Sequence, residues 1–219
     1  MSQTVKLDIM SDPICPWCYI GKTHLDKALA AVPNHPFVIE WHPFQLNPDM
    51  PTVGMDRREY LERKFGGKDG AVKAYAPVVE HAEKAGLSID FEGMKRTPNT
   101  LDAHRLIHWA GIEGKQDAVV DALFKAYFVE ARDIGDHEVL ADVADSVGMD
   151  AAVVQKLLKS DADREDISDR DKHSRQMGVN SVPTYIVANQ HAVPGAQPPE
   201  LWGKVIDEIM SQIEASSAE

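Results

Sequence analysis

Cys15 and Cys18 are the only cysteines in a chain of 219 residues, and Pro16 and Trp17 are all that separates them. Two thiols at that spacing close into a disulfide and reopen, so the chemistry they point to is thiol–disulfide exchange. In such a cycle one thiolate attacks a disulfide sulfur and forms a mixed disulfide. The second thiol then displaces the product.

The two thiols need different surroundings for those roles, and the flanking residues supply them. Val5, Leu7 and Ile9 alternate with Lys6, Asp8 and Met10, which predicts a strand. Ser11-Asp12-Pro13 breaks the alternation, and Pro16 suits the first position of a helix. Cys15 then falls at or near the N-cap, where unpaired N–H groups and the positive end of the helix dipole favour a thiolate. Cys15 is therefore expected to be the more exposed, more acidic nucleophile. Cys18, one turn into the helix, is expected to be the buried resolving thiol.

Three duller readings explain less. A structural disulfide across two residues closes a very small loop and constrains the unfolded chain little. A zinc site needs about four ligands, and no second cysteine pair completes one, so no metal is expected here. Two unrelated buried cysteines leave the prolines and the helix start unexplained.

The composition narrows the function class. The chain carries 35 acidic and 23 basic side chains, a net charge of -12, which argues against a nucleic-acid surface and gives no support to anionic lipid binding. No apolar run approaches a membrane span. Met1-Ser2-Gln3-Thr4 leads into the first strand without a basic or apolar leader pattern, so a cytoplasmic location is the expectation. Two cysteines in a reducing compartment fit catalytic rather than structural use.

Along the chain, a helix from Cys15 to about Ala31 and a strand from Phe37 to His42 complete a βαβ unit, expected to be parallel. Residues 51–161 then turn almost wholly helical. Candidate helices span Asp56 to Phe65, Asp69 to Ala85, Thr100 to Ala110, Gln116 to Glu130, His137 to Val147 and Ala151 to Ser160. Asn99 and Asp136 read as N-caps, Gly86 and Gly148 as stops, and Pro77 as a kink or break. The charged run from Asp161 to Asp166 reads as a solvated helix face. After a helix ending near Gly178, Val182 to Val187 reads as a strand, Asn189-Gln190 as a turn, His191 to Val193 as a strand and Glu200 to Ile213 as the last helix. The expected organisation is an α/β domain of residues 1–50 and 162–219, interrupted by an all-α insertion of residues 51–161.

That order resembles the thioredoxin plan. Ser-Asp-Pro-Ile-Cys-Pro-Trp-Cys-Tyr-Ile-Gly (Ser11 to Gly21), Ser-Val-Pro-Thr (Ser181 to Thr184), Gly-Ala-Gln-Pro (Gly195 to Pro198) and the Asn99-Thr100…His104-Arg105 stretch together resemble the FrnE-like branch of the DsbA family of thiol oxidoreductases. The resemblance implies a thioredoxin-like fold with a helical insertion, and exchange chemistry at Cys15 and Cys18. The same plan brings a cis Val182-Pro183 bond beside the cysteines. Pro16, Trp17, Val182 and Pro183 are the expected substrate-binding residues. No cofactor is expected beyond the Cys15–Cys18 redox pair, with glutathione as a candidate exchange partner. Disulfide- or thiol-containing proteins and small thiols are the expected partners. Periplasmic relatives carry a His between the cysteines, and Pro16-Trp17 here lacks that imidazolium, which implies a less oxidising pair.

Other signals carry less. His104 and His108 lie one helical turn apart but lack a zinc-protease Glu and a third ligand, so cleft lining or surface is the simpler reading. Asp12 is a turn aspartate or a proton relay. Trp17 and Tyr19 either form a docking surface or pack on the insertion. The rival enzyme is a glutathione-dependent isomerase or transferase of the 2-hydroxychromene-2-carboxylate isomerase or kappa class. Such proteins typically place Ser where Cys15 stands and need no second thiol. A chaperone-like module that merely keeps the fold would not depend on Cys15 at all.

Overall fold

A computed structural model of the chain describes residues 4–217. The first alternation becomes β1 (Val5–Ser11), followed by helix α1 (Pro16–Ala31) and strand β2 (Phe37–Pro43). β2 lies parallel to β1, with Leu7 beside Ile39 and Ile9 beside Trp41. The C-terminal half of β1 is buried on both faces, so the alternation read there marks the strand but not its inner side.

The insertion is helical apart from a ribbon of β3 (Met55–Asp56) with β4 (Arg96–Thr97), too short for a period-2 pattern to reveal. Between its strands run α2 (Arg57–Phe65) and α3 (Lys68–Ala85). Asp56 caps α2 by accepting the Glu59 N–H at 3.0 Å. Pro77 does not split α3, so the break among the two expectations for it is not found. It lies on an exposed face, so the carbonyl deprived of its partner one turn back is open to water.

Helix α4 (Leu101–Ile112) starts after Thr100 rather than at an Asn99 cap, although Asn99 still accepts the Leu101 N–H at 2.9 Å. Helix α5 (Gln116–Phe124) does not continue to Glu130. It passes into a π-helical turn, Lys125–Val129, that buries Ala126, Tyr127 and Phe128 in succession. Neither a 3.6 nor a 2 periodicity contains that pattern. α6 (His137–Ser146) and α7 (Ala151–Leu158) follow, capped by Asp136 and Asp150.

The acidic residues of the run are solvent-exposed as read, but only its second half is helical. Asp163 turns the chain at φ 57 ahead of α8 (Arg164–Gln176) and accepts the Trp109 indole N–H at 2.8 Å. β5 (Thr184–Val187) pairs antiparallel with β1, and β6 (His191–Pro194) antiparallel with β5, giving the order β2-β1-β5-β6. The turn between them places its positive φ at Ala188 and Asn189, one residue earlier than the sequence implied. Helix α9 (Pro199–Ser217) packs back on α1.

One hydrophobic core joins both parts, with Leu7, Ile9 and Trp202 in the same cluster as Leu106, Leu123 and Phe128. A smaller cluster of Ile20 with Val78, Ala82 and Ala85 fastens α1 to α3. Buried Lys22 fastens α1 to α5 through Asp26 and Asp121 at 2.8 Å and Asp117 at 3.3 Å. Burial works against its charge, but the three carboxylates outweigh it and raise its pKa. Among the described residues no helix is long and apolar enough to cross a membrane.

Candidate active site

The Ser11–Pro13 break and the proline after it place the first cysteine as read. Cys15 is the N-cap of α1, in extended conformation at φ -86 and ψ 115, and Pro16 opens the helix. Its N–H donates to the Asp12 carbonyl at 2.9 Å, and its carbonyl accepts the Cys18 N–H at 3.0 Å. The Cys15 thiol faces the Val182 carbonyl oxygen at 3.6 Å, and the Val182-Pro183 bond is cis.

The expected contrast in exposure is nearly absent: Cys15 is 4% exposed and Cys18 1%. What separates them is access. Cys15, Pro16, Trp17 and Val182 line a cavity of about 290 Å³, and Cys18 does not. Burial pushes the Cys18 thiol well above its ordinary pKa, and the neighbouring Cys15 sulfur adds to the effect. Ser11 and the Asp12 backbone oppose it without prevailing. Cys18 is thus held as a thiol beneath the accessible sulfur.

Pro183 lies off the cavity wall, behind it. It packs where a side chain on Gly21 would go. A Cβ there would meet the Tyr185 hydroxyl at 2.5 Å, Pro183 Cγ at 3.1 Å and Ala196 Cα at 3.3 Å. Gly21 therefore lets α1 approach β5 and the Gly195–Pro198 loop closely. That loop is tied down by the Gly195 N–H on the Pro183 carbonyl at 2.7 Å and by His24 Nδ1 beside the Gln197 carbonyl at 3.0 Å. Trp17 is half-buried and meets His81 of α3 edge-on at 5.2 Å. Tyr19 stacks on Phe124 and Phe128, so it packs on the insertion.

Asp12 lies wholly buried behind the cysteines. Its Oδ2 accepts the Leu46 N–H at 2.6 Å and its Oδ1 the Ile14 N–H at 3.3 Å. Burial raises its pKa to about 7, against these N–H bonds and the Thr100 hydroxyl. His104 Nε2 is 3.9 Å from Asp12 Oδ1, beyond hydrogen-bond reach, and has no other partner among the described residues. Burial lowers the imidazole to about 4, so the pair is not an ion pair at neutral pH. His104 and His108 do not converge: His108 Nδ1 accepts from Arg170 at 3.1 Å. Arg105, fully buried, bonds Asp102 and the carbonyls of Leu157, Ser160 and Ala162, joining α4 to the α7–α8 loop.

Among the described residues one group of metal-type ligands does converge, Asp8, Glu40 and His42 on β1 and β2. Its carboxylates already face Lys6 Nζ at 2.9 and 3.0 Å, and His42 stands between Asp8 and Arg170. It reads as an ion-pair network across the strands.

Residues 6–207 match the model of the DSBA-like thioredoxin domain. The chain belongs to that family. Among DSBA-like proteins it is 28% identical to the crystal structure of a probable DsbA oxidoreductase, SCO1869, from Streptomyces coelicolor, with a TM-score of 0.84 over 94% of this chain and 90% of that one. It is 27% identical to the uncharacterized protein YwbO of Bacillus subtilis over 94% of this chain and 97% of YwbO. The cytosolic disulfide reductase DsbM from Pseudomonas aeruginosa, solved with GSH, shares the fold at 17% identity, with a TM-score of 0.68 over 94% and 99%. The DsbA-family resemblance read from the Ser11–Gly21 and Ser181–Thr184 motifs thus holds over residues 6–207.

Sequence reasoning missed the insertion's share of the site. Arg57, Tyr75 and Tyr127 line the same cavity as Cys15. Arg57 opens a helix and Tyr127 sits in the π-helical turn, so neither stands out by spacing.

Proposed function

We propose that this chain is a dithiol–disulfide oxidoreductase in which Cys15 attacks and Cys18 resolves. The observation that carries the reading is the asymmetry of the pair: Cys15 lines a cavity and Cys18 lies buried off it, where burial raises its thiol pKa. The Cys15 thiolate attacks one sulfur of a substrate disulfide, forming a Cys15–substrate disulfide and expelling the first substrate thiolate. Cys18 loses its proton and attacks Cys15 Sγ, expelling the second. Two electrons pass from the dithiol to the substrate, and the protein is left as a Cys15–Cys18 disulfide.

Protein disulfides and small thiols or disulfides are both substrates under this reading, and Pro16, Trp17 and Val182 would contact them. Glutathione is a candidate exchange partner, in keeping with the GSH-bound DsbM structure whose fold this chain shares. A cytoplasmic setting fits a chain whose only cysteines are this pair.

Cys18→Ser should trap a mixed disulfide with substrate, because attack survives and release does not. Cys15→Ser should abolish exchange. Mass spectrometry of the trapped adduct, beside a disulfide-reduction assay, tests both. If the double Cys→Ser variant kept a glutathione-dependent isomerase activity while the parent protein exchanged no disulfide, the isomerase reading would replace this one.

A further inference from the structure

The cavity beside Cys15 carries a buried cation on its wall. Arg57 lies on its wall at 5% exposure, and its guanidinium donates to the Tyr127 hydroxyl at 3.0 Å and the Tyr75 hydroxyl at 3.1 Å. Neither partner carries a charge. No described Asp or Glu forms an ion pair with Arg57, although acidic residues outnumber basic ones by 35 to 23. A buried guanidinium without a counter-charge is costly unless an anion completes it. Lys64, on the same cavity, hydrogen-bonds only the Tyr60 hydroxyl among the described residues, at 2.7 Å. The wall of this cavity contains no carboxylate. Tyr75 accepts from Arg57, and none of the described residues accepts its hydroxyl hydrogen.

We propose that Arg57, with Lys64 at the rim, is the receptor for a carboxylate on a small disulfide or thiol substrate, holding its sulfur against Cys15. Planar guanidinium forks suit carboxylates, and the two phenols hold this one in place. A cavity of about 290 Å³ takes a small molecule, not a folded protein segment. This deepens the exchange reading and rests on it. The bonds made and broken are those of the cycle above, with the dithiol as the reductant.

The test is a charge series in single turnover. Pre-reduced protein is mixed with dithiodipropionate (anionic), hydroxyethyl disulfide (neutral) or cystamine (cationic), and loss of the dithiol is followed. Each rate is divided by that of free dithiothreitol with the same disulfide, which removes intrinsic reactivity. A protein of charge -12 with no local receptor should favour cystamine. The proposal requires the reverse order, with dithiodipropionate ahead of hydroxyethyl disulfide by about tenfold, the worth of one charge-assisted hydrogen bond. Arg57→Gln should shrink that ratio by about tenfold through weaker half-saturation. Lys64→Gln, at an exposed position, should shrink it less, and added salt should compress it.

A flat order, a cystamine preference, or equal slowing of all three disulfides in Arg57→Gln would overturn the proposal. Should Arg57→Gln fail to fold, the order in the parent protein and the Lys64→Gln ratio decide. Turnover of a protein disulfide with none of the three small ones defeats the small-substrate inference and leaves the exchange reading standing. Failure with every disulfide defeats both.

Discussion

Cys15 Sγ and the Val182 carbonyl oxygen stand 3.6 Å apart, although 167 positions separate the residues in the chain. That contact joins the start of α1 to the loop ahead of β5, and it places the sulfur on the cavity wall. The thiol is presented by two elements that pair through β1, so its position is set by the sheet rather than by a mobile loop. Preorganisation of this kind is what a sulfur needs to meet a bound disulfide in line.

Gly21→Ala should destabilise the protein by about 1–3 kcal/mol, since the new methyl meets Tyr185, Pro183 and Ala196 at once. Relief requires α1 to move away from β5, which also separates Cys15 from Val182. Urea unfolding should show the loss of stability, and the rate of disulfide reduction should fall with it. An alanine variant of unchanged stability and rate would show that this close approach is dispensable.

Lys22→Met should cost about 1–3 kcal/mol, less than a fully buried pair would, because the partner carboxylates are 46%, 55% and 54% exposed. Its contribution has a pH signature. The folded pKa of Lys22 is raised, so its stabilisation is complete below the unfolded lysine pKa and is lost as pH rises through the folded value. Thermal unfolding at neutral and alkaline pH should therefore show the two proteins converging at the alkaline end.

Asp12 and His104 make opposing contributions to stability in acid. Asp12, raised to about 7, favours folding at low pH and loses that stabilisation as pH rises from the unfolded aspartate value. His104, lowered to about 4, acts in the opposite sense: stability falls as pH drops below the unfolded histidine value of about 6.5. The two slopes oppose each other between about pH 4 and 6.5. Asp12→Asn removes one slope, so across that window its stability should rise with pH relative to that of the parent protein. Parallel profiles for the two proteins would show that Asp12 does not titrate there.

The cysteine pair, its place at a strand-to-helix turn and the sheet around it were legible in the residues. Pro16 at the helix start and the alternation from Val5 to Ile9 are local signals, and local signals act through backbone preference and side-chain period. The family motifs at Ser11–Gly21 and Ser181–Thr184 placed the chain in the right family for the same reason: both are contiguous. Access to the two sulfurs was not legible. Cys15 was expected to be exposed and is almost as buried as Cys18, because Trp17, Val182 and the insertion close around it. Arg57, Tyr75 and Tyr127 carry no spacing relative to Cys15. They line its cavity only because tertiary packing brings α2, α3 and the π-helical turn around it. A short-range pattern cannot report which distant side chains share one cavity, or which buried cation is left without a counter-charge. Those relations are products of tertiary packing.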